Sequence, residues 1–172
     1  IDLIGKSTAS AAGSPAFLPV ELFKTHDVRC NELNDLLFLS SGTSAASERA
    51  KHFVHDKFLY KDLATAHFEE KYGPLEDWVI LALLPSYIEN GESSLVLMVD
   101  GFIKTAHKNS KFLLHKPEAL LEEFNHLRKS NQKTLLIGVS YALLDFCEKH
   151  PISFPELVVM ETGGMKGRRK EL

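Results

Sequence analysis

The chain has 172 residues, 44% of them hydrophobic and 25% charged, which suits one globular unit with a real core. Its 20 Lys plus Arg set against 23 Asp plus Glu leave a formal charge of -3, too small and too mixed to indicate a nucleic-acid partner. Cys30 and Cys147 form no C-x-x-C pair and no run approaches a membrane span of roughly 18 apolar residues, so the composition argues against a disulfide framework, a zinc knuckle and a membrane protein, and for a reducing cytoplasm.

The first 25 residues, through Pro15 and Pro19, are rich in small residues and read as an extended arm ending near a short helix. Residues 36–40 read as a strand, with Arg49 to Asp56 as the returning strand of a hairpin. Lys57 to Tyr72 carries Phe58, Leu59, Leu63, Ala66 and Phe68 at near-helical spacing, and Gly73-Pro74 should stop it. Trp78 to Leu84 is an unbroken apolar run of strand length, as a strand covered on both faces requires. Pro85 ends it, and after the loop 86–91 a helix is expected from Ser94 to Val99 with Ser93 as its N-cap.

A further helix runs from Pro117 to Ser130, with proline in the first turn, Glu118 near the start and Arg128-Lys129 near the end, the arrangement the helix dipole favours. Thr134 to Val139 is a second buried strand, leading through Ser140 into a helix that contains Leu143, Leu144, Phe146 and Cys147. Leu157 to Glu161 repeats the strand pattern and ends at Thr162-Gly163-Gly164. Strand and helix alternate, which predicts an α/β fold: a mostly parallel sheet flanked by helices, in a single unit over residues 1–172. Ligands of such sheets gather beyond the carboxyl ends of the strands. The loops Ser40 to Ser47, Ser140 to Tyr141 and Thr162 to Gly164 all follow predicted strands and are expected to converge there.

The first of these loops has the most pronounced chemistry. Gly42 lets the main chain approach a ligand, while Ser40, Ser41, Thr43, Ser44 and Ser47 bring hydroxyls, and successive N–H groups can form a concavity for an anion. Neither a Walker loop nor a dinucleotide fingerprint is present. The same composition also suits an ordinary polar turn. Tyr87, Ser140 and Tyr141 follow apolar runs, and the segment from Gly138 to Leu144 offers either a wall for an apolar substrate or plain core packing. His52 and His55 flank the hydroxyl loop as candidate positioning groups or as surface histidines. The eight histidines show no metal-binding spacing, so no metal site is expected. Lys166, Arg168, Arg169 and Lys170 suit phosphate, an acidic carrier protein or plain solvent.

Four blocks together resemble the acyl-protein synthetase family: Pro15 to Lys24; Ser40-Ser41-Gly42-Thr43-Ser44 with His52 downstream; Leu84-Pro85-Ser86-Tyr87 followed by Ser93-Ser94-Leu95; and Glu161-Thr162-Gly163-Gly164-Met165-Lys166-Gly167-Arg168-Arg169-Lys170-Glu171-Leu172. That family supplies the acyl-activating subunit of the fatty-acid reductase of bacterial luminescence. It is related to phenylacetate–coenzyme A ligases and other adenylate-forming enzymes. The resemblance implies an acid–thiol ligase, with the chain forming part of the large N-terminal domain of such an enzyme. ATP, with magnesium, would activate a fatty or other carboxylic acid as an acyl adenylate. A thiol of a reductase subunit, an acyl carrier protein or coenzyme A would then take the acyl group.

By position, Ser40, Ser41, Gly42, Thr43 and Ser44 would hold the β- and γ-phosphates, and Gly163 and Gly164 would lie against the adenine. The acid-facing candidates, Tyr87, Ser140 and Tyr141, come from the apolar runs they follow and not from the family's pattern, and core packing is their alternative role. The family loop usually continues Thr-Thr-Gly with a Lys soon after; here Ser44-Ala45-Ala46 stands in that place, and Arg49 and Lys51 are the nearest cations. The family's magnesium-binding carboxylate, ribose-binding Asp, lid with its catalytic Lys, and acyl-carrying Cys are expected beyond Leu172, so the catalytic residues are not assigned in this chain, and on its own it is expected to be inactive. Neither Cys30 nor Cys147 inherits the acyl-carrying role. The competing expectation is a non-catalytic module that binds an acyl carrier protein or a partner subunit.

Overall fold

The computed structural model describes residues 17–29, 32, 33, 36–40, 48–85 and 91–163. A short helix, α1 (Leu22–Thr25), precedes an antiparallel hairpin of β1 (Leu36–Leu39) and β2 (Lys51–Val54), in the register Leu36 opposite Val54 through Leu39 opposite Lys51. The long helix α2 (Lys57–Tyr72) follows, then a single 3₁₀ turn (Leu75–Asp77). From there strands and helices alternate: β3 (Trp78–Leu83), α3 (Ser94–Thr105), β4 (Lys111–Phe112), α4 (Pro117–Leu127), β5 (Lys133–Gly138), α5 (Ser140–Lys149) and β6 (Leu157–Glu161).

Helix starts and stops follow local chemistry. Asp56 caps α2 by accepting the N–H groups of Phe58 and Leu59 at 2.8 and 3.0 Å, and Ser93 caps α3 by accepting that of Val96 at 3.3 Å. Gly73, at φ 83°, ends α2 in the left-handed conformation that suits glycine. Pro117 opens α4, where its missing N–H costs no intrahelical bond.

The main sheet has the order β4-β3-β5-β6 and every pairing is parallel. Both faces are covered. Phe102 of α3 packs at a tilt against Phe68 of α2, ring centroids 5.1 Å apart, and Phe124 of α4 meets Phe146 of α5 edge-on at 5.9 Å. The chain moves from β3 to β4 in one direction and from β4 to β5 and β6 in the other, so right-handed crossovers place α3 on one face and α4 and α5 on the opposite one. Burial agrees: all six residues of β3 and five of the six of β5 are buried, as parallel strands with both faces covered require. The α/β architecture with helices flanking a mostly parallel sheet therefore holds.

Four elements differ from their sequence-based expectation. Helix α4 stops at Leu127 rather than Ser130, because the Lys129 and Ser130 N–H groups donate to carbonyls three residues back and tighten the chain into turns. Helix α3 continues past Val99 to Thr105, because Phe102 extends its buried face and Lys104 pairs with Asp100 one turn earlier at 2.7 Å, across a Gly101 that reads as a breaker. Strand β4 is only two residues long and carries no periodicity to detect. The returning strand is confined to Lys51–Val54 rather than reaching from Arg49 to Asp56, since Arg49 points its side chain at the hairpin neck and Asp56 is a helix cap. Among the described residues no helix is long and apolar enough to cross a membrane.

Candidate functional site

A doubly wound sheet of this order changes direction between β3 and β5, and the crevice beyond the carboxyl ends of those two strands is where ligands bind such sheets. The segments that leave them are Leu84 to Ser93 and Val139 to Ser140. Three sets of interactions assemble this edge.

The hairpin is tied to it through Arg49. Its guanidinium donates from Nε to the Ser40 carbonyl at 2.6 Å, from Nη2 to the Leu39 carbonyl at 3.3 Å and from Nη1 to Glu92 Oε2 at 3.1 Å. The Leu39 N–H also donates to the Glu92 carbonyl at 3.1 Å. The neck of the hydroxyl loop therefore stands against the segment that joins β3 to α3. Ser40 closes that neck twice over: its N–H donates to the Ala50 carbonyl at 2.9 Å, and its Oγ accepts the Ala50 N–H at 2.8 Å. The remaining residues of the proposed phosphate loop, Ser41, Gly42, Thr43 and Ser44, lie outside the described residues, as do Tyr87 and Gly164.

A second set joins β5 to β6. The Thr162 N–H and hydroxyl both donate to the Gly138 carbonyl, at 3.0 and 3.1 Å. Ser140, the first residue of α5, donates its hydroxyl to Glu161 Oε1, and the same oxygen accepts the Gly163 N–H at 3.0 Å. Gly163 itself has φ 76°, with nothing within 4 Å of where a side chain would begin. Ser140 and Gly163, predicted to belong to one site, are thus bridged by one carboxylate. Glu161 sits at the end of an apolar strand, and that position gave no sign of its bridging role.

The third set is a wedge. A methyl group on Gly138 would stand 3.0 Å from Leu83 Cβ and 3.1 Å from Leu143 Cγ, so glycine at this position lets β3, β5 and the first turn of α5 close on one another. Tyr141 then turns into a cleft of about 190 Å³ between α5 and the turn from β4 to α4. Leu83, Leu114, Pro117, Ala142 and Phe146 give this cleft its apolar surface, and His115, Asp145, Lys149 and His150 add polar groups. Of the segment from Gly138 to Leu144, Val139, Tyr141, Ala142 and Leu143 are all buried in the core, and Tyr141 and Ala142 also line the cleft. Sequence reasoning did not pick out Asp145 and Lys149 as neighbours of Tyr141, although their spacing of four and eight residues is that of one helix face; His150 joins them from the position that ends α5.

The other residues singled out are engaged elsewhere. Lys51 pairs with Asp27 at 2.8 Å, and its ammonium, donating to Asp27, is what chiefly holds that carboxyl below the usual range. His52 stacks on Phe23 with ring centroids 5.0 Å apart, and His55 Nδ1 lies 2.9 Å from the Leu33 carbonyl. Cys147 is a free, exposed cysteine. Among the described residues no three His, Cys, Asp or Glu side chains gather in a way that would hold a metal ion.

No family model, no curated protein and no solved structure matches this chain.

Proposed function

We propose that the chain is the nucleotide-binding part of the large N-terminal domain of an adenylate-forming ligase of the acyl-protein synthetase kind. It activates a fatty or other carboxylic acid with ATP for transfer to a thiol. The observation that carries this reading is the joining of Ser140 and Gly163 through Glu161 at the ends of β5 and β6, because these are two of the segments that the reading assigns to one adenylate site. The Arg49 tether, which holds the neck of the hydroxyl loop beside the segment after β3, supports it further.

In this reading the loop from Ser40 to Ser44 receives the β- and γ-phosphates through its N–H and hydroxyl donors. The acid's carboxylate attacks the α-phosphorus, the bond to the bridging oxygen breaks, and pyrophosphate leaves carrying the negative charge. Donors already in place for that charge lower the barrier without any reorganisation of solvent. Thiol attack on the acyl carbon then expels AMP and leaves a thioester. The open space beside Gly163 leaves room for the flat base, and at φ 76° Gly163 holds a conformation that favours glycine. Magnesium would arrive bound to the phosphates of ATP and neutralise their charge; a hard cation of this kind uses few protein ligands when a substrate supplies oxygens.

Titration with ATP, and separately with a non-hydrolysable acyl-adenylate mimic, tests the reading. Gly42→Val and Ser41→Ala are expected to weaken both ligands, the valine by about tenfold or more because it closes the loop to the phosphates. Saturable ATP binding that ignores both substitutions would remove the loop from the site and the reading with it.

A further inference from the structure

The cleft beside α5 has a composition that the strand-end site does not account for. Its apolar part is built from Leu83 at the tip of β3, Leu114 and Pro117 on the turn into α4, and Ala142 and Phe146 on α5. Its polar part comes from Tyr141, His115, Asp145, Lys149 and His150. Apolar walls with a few convergent polar groups are the usual character of a small-molecule pocket. The volume of about 190 Å³ falls below the roughly 300–1,000 Å³ of pockets for drug-sized ligands, so the occupant is compact.

Charge narrows the class. Lys149 brings one positive charge and Asp145, one helical turn earlier on the same face, one negative charge. The imidazoles of His115 and His150 add ring nitrogens that can donate or accept hydrogen bonds. A phosphate dianion would meet a single ammonium and a carboxylate, an unfavourable balance, whereas a monocarboxylate can pair with Lys149 and take imidazole donors. We propose that this cleft binds a short monocarboxylic acid, on the scale of hexanoate, with its carboxylate at Lys149 and its alkyl body on Ala142, Phe146 and Leu114.

The cleft adjoins the adenylate edge, since Leu83 ends β3 and Tyr141 follows Ser140, but its charged end does not. Lys149 lies nine residues along α5 from Ser140, about 13 Å at 1.5 Å per residue, so a carboxylate held there is remote from the strand ends where phosphate chemistry is proposed. The inference goes beyond the ligase reading in placing a carboxylate at Lys149.

The test is titration of the protein with hexanoate, followed through backbone amide signals, with hexanol and palmitate as controls. Hexanoate is expected to saturate with a dissociation constant on the order of 1 mM, shifting Leu114, Ala142 and Lys149. Hexanol, lacking the charge, and Lys149→Glu, reversing it at an exposed position that leaves the fold intact, are each expected to lose about tenfold in affinity. Ala142→Trp fills the cleft and should abolish the shifts. Equal shifts with hexanol, undiminished binding by Lys149→Glu, preference for palmitate, or no saturable response to hexanoate would each overturn the proposal. A protein that binds hexanoate but not ATP refutes the ligase reading and keeps this one; the reverse result does the opposite.

Discussion

Ser140 and Glu161, 21 residues apart, meet across the ends of two neighbouring strands, the serine hydroxyl donating to the Oε1 that also accepts the Gly163 N–H. One carboxylate oxygen thus sets both the start of α5 and the turn after β6. Glu161→Ala removes the shared acceptor, but the cluster is exposed and water can replace it, so the loss of stability should stay within about 1 kcal/mol. The proposed adenylate site depends on the placement of Gly163, and there the same substitution is expected to weaken ATP binding by about tenfold, the equivalent of about 1.4 kcal/mol. Glu161→Gln keeps an acceptor oxygen and should retain most of the affinity. Calorimetric titration with ATP beside urea unfolding separates the two effects, and an alanine variant that binds ATP like the parent would deny Glu161 a positioning role.

Gly138 and Gly163 should respond to substitution for different reasons. At Gly138 an added methyl meets Leu83 and Leu143 at 3.0 and 3.1 Å, inside a region where strand and helix are both buried. Gly138→Ala is therefore expected to cost about 1–3 kcal/mol through overpacking. At Gly163 the space is open but φ is 76°, so Gly163→Ala costs roughly 1 kcal/mol of backbone strain, and Gly163→Asn less, because asparagine tolerates the left-handed region better. Urea midpoints for the three variants check the order. A Gly163→Asn protein less stable than Gly163→Ala would show that side-chain volume, not backbone angle, governs that turn.

Periodicity made most of this architecture legible. The apolar runs at Trp78 and Thr134 are interior strands, and the proline and charges that frame Pro117 to Leu127 mark a helix. These signals are local, so they survive without knowledge of the fold. The two-residue strand Lys111–Phe112 was illegible for the opposite reason: its pairing with Leu81 and Ala82 is set by the neighbouring strand and not by its own pattern. The site divides in the same way. Ser140 and Gly163 are recognisable as residues that follow strands, whereas the groups that hold the edge together, Arg49 with Glu92 and Glu161 with Ser140, are contacts across 43 and 21 residues that no local window contains. The face that Asp145 and Lys149 present to the cleft follows from helical spacing alone, but its importance depends on Leu114 and His115 arriving from another segment.

Asp56 offers a pH-dependent test of the hinge between the hairpin and α2. Its carboxylate accepts the N–H groups of Leu59 and Phe58, in that order the two largest of the effects that hold it below its ordinary value of 3.8. Both bonds exist only in the folded chain. The folded group therefore titrates below the unfolded one, so its contribution to stability is complete at neutral pH, begins to fall as the pH drops past 3.8, and is gone below the lowered folded value. Asp27, held down chiefly by the Lys51 ammonium, titrates in the same direction, so the parent's acid response is a sum of the two. Asp56→Asn keeps an oxygen for the cap and removes the charge; it should match the parent closely in urea at pH 7 and lose less stability on acidification. Asp56→Ala removes the cap and should be less stable than both at pH 7. Thermal melts from pH 7 down to pH 3 distinguish the variants. If the asparagine variant loses as much stability with acid as the parent, the pH dependence belongs to Asp27 or to other carboxylates, and the cap of α2 carries none of it.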